Sequence, residues 1–181
     1  MMGSATPKFT GGVTSDLRWK NWTLGANIFF VYGNKVFNRS RITSDSDGGY
    51  IDYNMMSLDN GLGWVRWDPN KKSTHNKATH PRPMQNGNQK SNSYSSRYLE
   101  DGSFLRLKNV TLAYNFNKPL FNGFVQGGRI YFTADNVFTL TKFSGADPEV
   151  QLEGSGSSLA GVFGDNYPVP RSFILGVDFK F

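Results

Sequence analysis

From Phe173 to Phe181 every second residue is large and apolar. Phe173, Leu175, Val177, Phe179 and Phe181 alternate with Ser172, Gly176, Asp178 and Lys180, and only Ile174 breaks the polar set. Side chains of a strand point alternately to its two faces, so this segment must lie between an apolar medium and a wet one. A half-buried edge strand of a soluble domain satisfies that condition, and so does a strand whose greasy face meets lipid. An apolar run carried to the last residue leaves no room for a covering element, which favours lipid.

The alternation recurs upstream. Phe9, Gly11, Val13, Ser15, Leu17 and Trp19 oppose Thr10, Gly12, Thr14, Asp16 and Arg18. Trp22, Leu24, Ala26, Ile28, Phe30 and Tyr32 oppose Thr23, Gly25 and Asn27, with Phe29 and Val31 out of pattern. Val110, Leu112, Tyr114 and Phe116 oppose Asn109, Thr111, Ala113 and Asn115, whereas Phe104 to Lys108 has the opposite parity, as a bulge or a rise above the apolar layer would produce. Ile130, Phe132, Phe138 and Leu140 oppose Arg129, Tyr131, Thr133 and Asp135, and Asn136 interrupts the apolar face. Strands are therefore expected over about 8–19, 22–36, 104–116, 129–141 and 171–181, each close to the length that crosses a bilayer when tilted.

Connection lengths sharpen this reading. Lys20-Asn21 makes a tight hairpin, and a modest segment with Pro119 and Gly123 joins the third strand to the fourth. The connections over about 37–103 and 142–170 are long, and structureless connections of that length are uncommon in compact domains. Membrane barrels alternate short turns on one side with long loops on the other, and the order here is the same. Rings gather at both strand ends: Trp19, Trp22, Tyr114, Phe116, Phe179 and Phe181 beside the short turns, and Phe30, Tyr32, Phe138 and Phe173 at the opposite end. Such sorting by height makes the two aromatic girdles of a barrel. A hydrophobic share of 38% beside 15% aromatics suits strands with one greasy face better than an ordinary core. No stretch approaches the roughly 18 apolar residues of a membrane helix, so any crossing is by strands.

The fold class read from these features is all-β, an antiparallel up-and-down transmembrane barrel with two long extracellular loops. Five strands cannot close, and open edges in lipid leave backbone groups unpaired at a cost of several kcal/mol each. The chain is accordingly expected to be the terminal fragment of a larger barrel. Met1 to Ala5 lack the charged start and apolar centre of a secretory signal, so the signal peptide is expected further upstream. The net charge of +6 is spread along the chain with no basic run beyond Lys71-Lys72, which argues against nucleic acid. Absence of cysteine excludes disulfides and thiolate metal sites.

Few residues suggest chemistry. Tyr50, Tyr53, Trp64, Arg66 and Trp67 lie in the first long loop, where rings stack on sugars and Arg bonds hydroxyl or peptide groups, so they are the candidate substrate-binding residues. Packing of the loop on itself or on a partner is the competing reading. Asp45, Asp47 and Asp52 follow part of a calcium-loop pattern without its full spacing or its bidentate Glu and read as a solvated turn. His75 and His80 sit in a polar stretch and are expected to be solvent-exposed. Asp147 and Glu149 flank Pro148 without a facing acidic pair, so they do not make a glycosidase site. No phosphate loop, nucleophile elbow or zinc motif occurs; no enzyme activity, metal or cofactor is expected.

Several segments resemble the C-terminal part of SusC/RagA-family TonB-linked outer-membrane transporters: Thr6 to Gly12, Tyr32 to Val36, Ser96 to Leu112, Arg129 to Thr139, Ser144 to Glu149 and Tyr167 to Arg171. Arg39 to Asn92 match poorly apart from Trp67 and Pro81-Arg82-Pro83. The resemblance implies the last five strands of a plugged barrel of about twenty-two. It also implies residence in a Gram-negative outer membrane, TonB-powered import of oligosaccharide or peptide, and a SusD-like surface lipoprotein as partner, with the plug and TonB-contacting segment outside this chain. Gly176, Phe179 and Phe181 are spaced like the barrel-assembly signal offered to the insertion machinery. The rival from another class is a secreted β-sandwich that binds carbohydrate, with Trp64 and Trp67 as its platform.

Overall fold

The computed structural model describes residues 3–44, 65–80, 93–119, 124–149, 161–164 and 167–181. In chain order its strands are β1 (Phe9–Trp19), β2 (Trp22–Tyr32), β3 (Lys35–Asn38), β4 (Leu99–Asp101), β5 (Phe104–Phe116), β6 (Gly127–Thr141), β7 (Val162–Phe163) and β8 (Ser172–Lys180). Two short helices, α1 (Ser40–Ser44) and α2 (Lys72–His75), and a 3-10 turn at Ser96–Tyr98 complete the described elements. The chain divides into two compact units: Gly3–Lys35 with Asp101–Val150 and Tyr167–Phe181, and Val36–Glu100 with Gln151–Asn166.

The first unit is a five-stranded antiparallel sheet in the order β1-β2-β5-β6-β8. Register sorts its side chains, because residues opposite one another across an antiparallel pair share a face. Thr14, Asn27, Asn109, Asp135 and Ser172 form one cross-strand row, and Asp16, Gly25, Thr111, Thr133 and Ile174 the next. The opposite face carries Val13, Leu17, Leu24, Leu112, Phe132 and Leu175, and all of these are exposed, Leu175 at 74%. No protein layer covers that face among the described residues, which is the reverse of a sandwich.

Three local devices shape the sheet. Lys20 adopts the left-handed conformation (φ 53°) that turns β1 tightly into β2. Register shifts after Asn27 on β2 and between Leu107 and Asn109 on β5, so Lys108 is bulged and the parity of β5 inverts there. On β6 the matching irregularity falls at Asn136, whose φ of 51° is also left-handed and whose side-chain amide donates to the Pro170 carbonyl at 3.0 Å. The bulge explains Phe29 and Val31. They lie opposite Arg106 and Phe104 on the polar side, and the rings of Phe29 and Phe104 are 6.0 Å apart.

The strand expected over 22–36 is two elements. Gly33 (φ 83°) breaks it after Tyr32, its N–H bonding the Ser103 hydroxyl at 2.9 Å, and Lys35 starts β3 in a different sheet. The fourth strand starts two residues earlier than expected, at Gly127.

The second unit has a small core of its own, so the first long connection is not a bare loop. β3 pairs with β7 in parallel and with β4, and Val36, Asn38, Tyr98 and Phe163 are buried there. Phe37 sits between the rings of Tyr94 (5.5 Å) and Tyr98 (6.3 Å). Glu100 joins the pieces, accepting from Arg41 at 2.9 Å and from the Asn38 amide at 3.3 Å.

Candidate functional site

The polar face of the sheet unit holds two kinds of arrangement, separated by the Lys108 bulge. On the hairpin side it is a sideways network of hydroxyls and amides. The Asn109 amide donates to Asp135 at 2.6 Å and the Ser172 hydroxyl to the other oxygen of the same carboxylate at 2.7 Å. The hydroxyls of Thr111 and Thr133 meet at 2.9 Å. Arg129 stands opposite Asp178 with its guanidinium 5.2 Å from the Tyr131 ring centre. These groups are half-buried or exposed, so the lining suits contact with water or a polar surface.

Beyond the bulge the face is charged and closed. Arg106 is only 3% exposed, and its guanidinium reaches Asp147 at 2.5 Å, Glu149 at 2.7 Å and the Thr139 hydroxyl at 2.8 Å. Lys108 takes the other Glu149 oxygen at 2.7 Å and lies over the Phe29 ring at 4.6 Å. Asp147 also accepts from the backbone N–H of Glu149 (2.9 Å) and of Val169 (3.3 Å). A buried carboxylate needs this many donors, since an uncompensated charge inside protein costs several kcal/mol. Asp147 and Glu149 are therefore structural partners of cations, consistent with their rejection as an acid–base pair. Arg106 and Lys108 are not among the site residues expected from the sequence. The inverted parity of Phe104 to Lys108, which sets both cations out of step with Asn109, Thr111 and Asn115, is the signal in the sequence.

A second tie lies just before β5. The Ser103 hydroxyl and N–H donate to Asp101 at 2.6 and 3.0 Å, and these bonds, the hydroxyl first, hold the carboxyl below its usual range. Thr141 bonds the Ser103 carbonyl at 2.8 Å and the N–H of the buried Phe143 bonds Thr141 at 3.1 Å.

Of the expected substrate-binding residues, Tyr50, Tyr53 and Trp64 lie outside the described residues, as do Asp45, Asp47 and Asp52. Arg66 and Trp67 belong to the second unit, where Arg66 bridges to His80 in parallel and the Trp67 N–H bonds the His80 carbonyl at 2.9 Å. Trp67 stacks on His75 with ring centres 5.2 Å apart and stays partly exposed. His80 corrects the expectation of exposure: it is 3% exposed, because that backbone bridge and a 2.9 Å contact from the Thr79 hydroxyl to its Nδ1 draw it inward.

Gly176, Phe179 and Phe181 all fall at the end of the sheet, on or just after β8. Gly176 lies beneath the Tyr131 ring on the neighbouring strand, and a Cβ there would overlap the ring. Phe181 is met edge-on by Phe124 at 5.3 Å.

No protein-family model matches the chain. Over an alignment of 188 positions that takes in the whole chain, it is 29% identical to TonB-dependent receptor P3 of Formosa agariphila, covering 17% of that protein. Over 91 residues, 48% of the chain, it is 34% identical to TonB-dependent receptor SusC of Bacteroides thetaiotaomicron, covering 8% of it. Superposed on a solved structure of the RagAB peptide transporter, 99% of the chain aligns with a TM-score of 0.75 at 30% identity. The chain is SusC/RagA-like, similar over its whole length to one segment of the TonB-dependent receptors. It spans 18% of the solved transporter chain, and the antiparallel strand architecture is common to both. These relatives are TonB-dependent receptors and a peptide importer.

Proposed function

We propose that this SusC/RagA-like chain supplies five adjoining wall strands and outer loops of a Gram-negative outer-membrane barrel that imports nutrients. The observation that carries the reading is one sheet with two opposite faces: large apolar side chains exposed on one side, and hydrogen-bonded polar rows on the other. In a bilayer the first face meets acyl chains and the second lines a wet lumen. The two edges of the sheet, unpaired among the described residues, require further strands in a bilayer, and likeness to the RagAB transporter supports reading these five as part of a plugged barrel of about twenty-two.

The cargo is oligosaccharide or peptide, energy comes from TonB through a plug outside this chain, and a SusD-like lipoprotein covers the outer mouth. Whole-chain likeness to a peptide importer and partial likeness to SusC support that range. Arg66 and Trp67, with Tyr50, Tyr53 and Trp64, contribute to capturing cargo in the outer loop. Gly176, Phe179 and Phe181 present the strand to the assembly machinery. The test is uptake of labelled oligosaccharides and peptides by cells carrying the complete transporter, with and without TonB. Equal uptake in both strains overturns the reading. The β-sandwich alternative demands a monodisperse monomer without detergent, and the exposed apolar face opposes it.

A further inference from the structure

On the apolar face, at the hairpin end, a shallow groove of about 340 Å³ crosses four strands. Trp22, Leu112, Tyr114, Ile130, Phe132 and Leu175 line it. Its rim is a pair of interface rings, Trp22 and Tyr114, with centres 4.9 Å apart. Rings of this type favour the level of lipid head groups, where one edge is wet and the body is apolar. Two residues before Trp22 stands Lys20, whose ammonium lies 5.0 Å from the centre of the Trp19 ring.

The charge around the groove is one-sided. Every acidic residue other than Asp16, Asp135 and Asp178 lies in the two long connections, and the short turns at Lys20-Asn21 and from Asn117 to Gln126 contain Lys20 and Lys118 with no acid. Asp16, Asp135 and Asp178 belong to rows of the opposite, polar face. A greasy trough under an aromatic rim, with ammonium groups as the only charged side chains in the adjoining turns, matches one kind of molecule: a phospholipid with an anionic head group.

We infer that the groove seats an acyl chain of an anionic phospholipid from the leaflet on the hairpin side, its head group beside Lys20 and the Trp22–Tyr114 rim. The inference rests on the membrane reading proposed above. A single surface Lys favours an anionic lipid by about fivefold. The occupied groove also fills what is otherwise a dent in the sheet's packing against the bilayer.

The test uses the complete transporter in nanodiscs containing phospholipid with brominated acyl chains, which quench tryptophan on contact. The Trp22 signal is the difference between the parent and Trp22→Phe. The expected result is stronger Trp22 quenching with brominated phosphatidylglycerol than with brominated phosphatidylcholine at the same mole fraction, reflecting about fivefold enrichment. Lys20→Asn, which removes the charge while suiting the left-handed backbone at that position, is expected to abolish the preference. Equal quenching by both lipids overturns the site and leaves the membrane reading intact. Quenching by neither overturns the membrane reading itself.

Discussion

The two halves of the polar face, on either side of Lys108, are made by different means. Toward the hairpins, Thr111, Thr133, Asn109 and Ser172 bond sideways between neighbouring strands, and every partner lost is replaceable by water. Past the bulge, Arg106 is sealed beneath the segment that follows β6, with Asp147 and Glu149 as its counter-ions. A wetted hydroxyl and a buried guanidinium obey opposite economies of solvation. One half is a tolerant lining; the other is a joint that fixes where the chain leaves the sheet. Position in the sheet alone does not predict how much a residue matters.

The sharpest way to break this contrast is Arg106→Ala. It strands Asp147, and we expect a loss on the order of 3–5 kcal/mol, read by denaturant unfolding in micelles, with faster amide exchange in residues 142–149. An unchanged midpoint would sink the joint. Replacing Arg106 and Asp147 together by apolar residues of similar volume should recover most of the loss, as removal of a whole buried pair does.

Gly176→Ala probes the tolerant half at its tightest point. A methyl group there meets the Tyr131 ring, so a loss of about 1–3 kcal/mol and poorer assembly are expected, relieved by adding Tyr131→Ala. If the double variant behaves like the single one, the ring is not the cause.

Ser103→Ala tests the tie before β5 and should cost about 1–2 kcal/mol at neutral pH. The sign of its pH dependence follows from the lowered carboxyl of Asp101. A group with a depressed folded pKa stabilises fully above its ordinary value, near 3.9 for Asp, and loses that contribution as pH falls through the lower folded value. Acid should therefore weaken the parent more than the variant in that window. Parallel acid-unfolding curves would contradict it. Smallest of all, Thr111→Val should change stability by no more than about 1 kcal/mol, because Thr133 can turn to water.

Much of the sheet was legible because lipid-like and wet faces impose period two on consecutive residues. Leu112 and Thr111 declare their sides without reference to any partner, and the parity flip at Phe104 to Lys108 left a bulge or a rise above the apolar layer, of which the register shows the bulge. Phe29 and Val31 seemed exceptions only because they belong to the region past it. What stayed hidden depended on distant partners. Arg106 and Asp147 are far apart in sequence, and nothing local couples them. His80 is drawn inward by a bridge to Arg66 that a polar, Lys-rich stretch does not suggest. β3 and β7, four and two residues long, are too short to carry a period, so the core around Tyr98 left no trace. The candidate site shared this fate: Gly176 and the polar rows follow from alternation, while the charged cluster does not.

Each strand in the sheet runs against its neighbours, and there are five of them, so the first and the last point the same way. An antiparallel ring needs an even tally of staves. Closing the proposed barrel around this sheet takes an odd number of further staves, starting and finishing with ones that descend where β1 and β8 climb. Two copies of the segment, set side by side with their long connections on one side, would put like-directed staves in contact. Such a seam is parallel, and this segment cannot become a vessel by doubling itself.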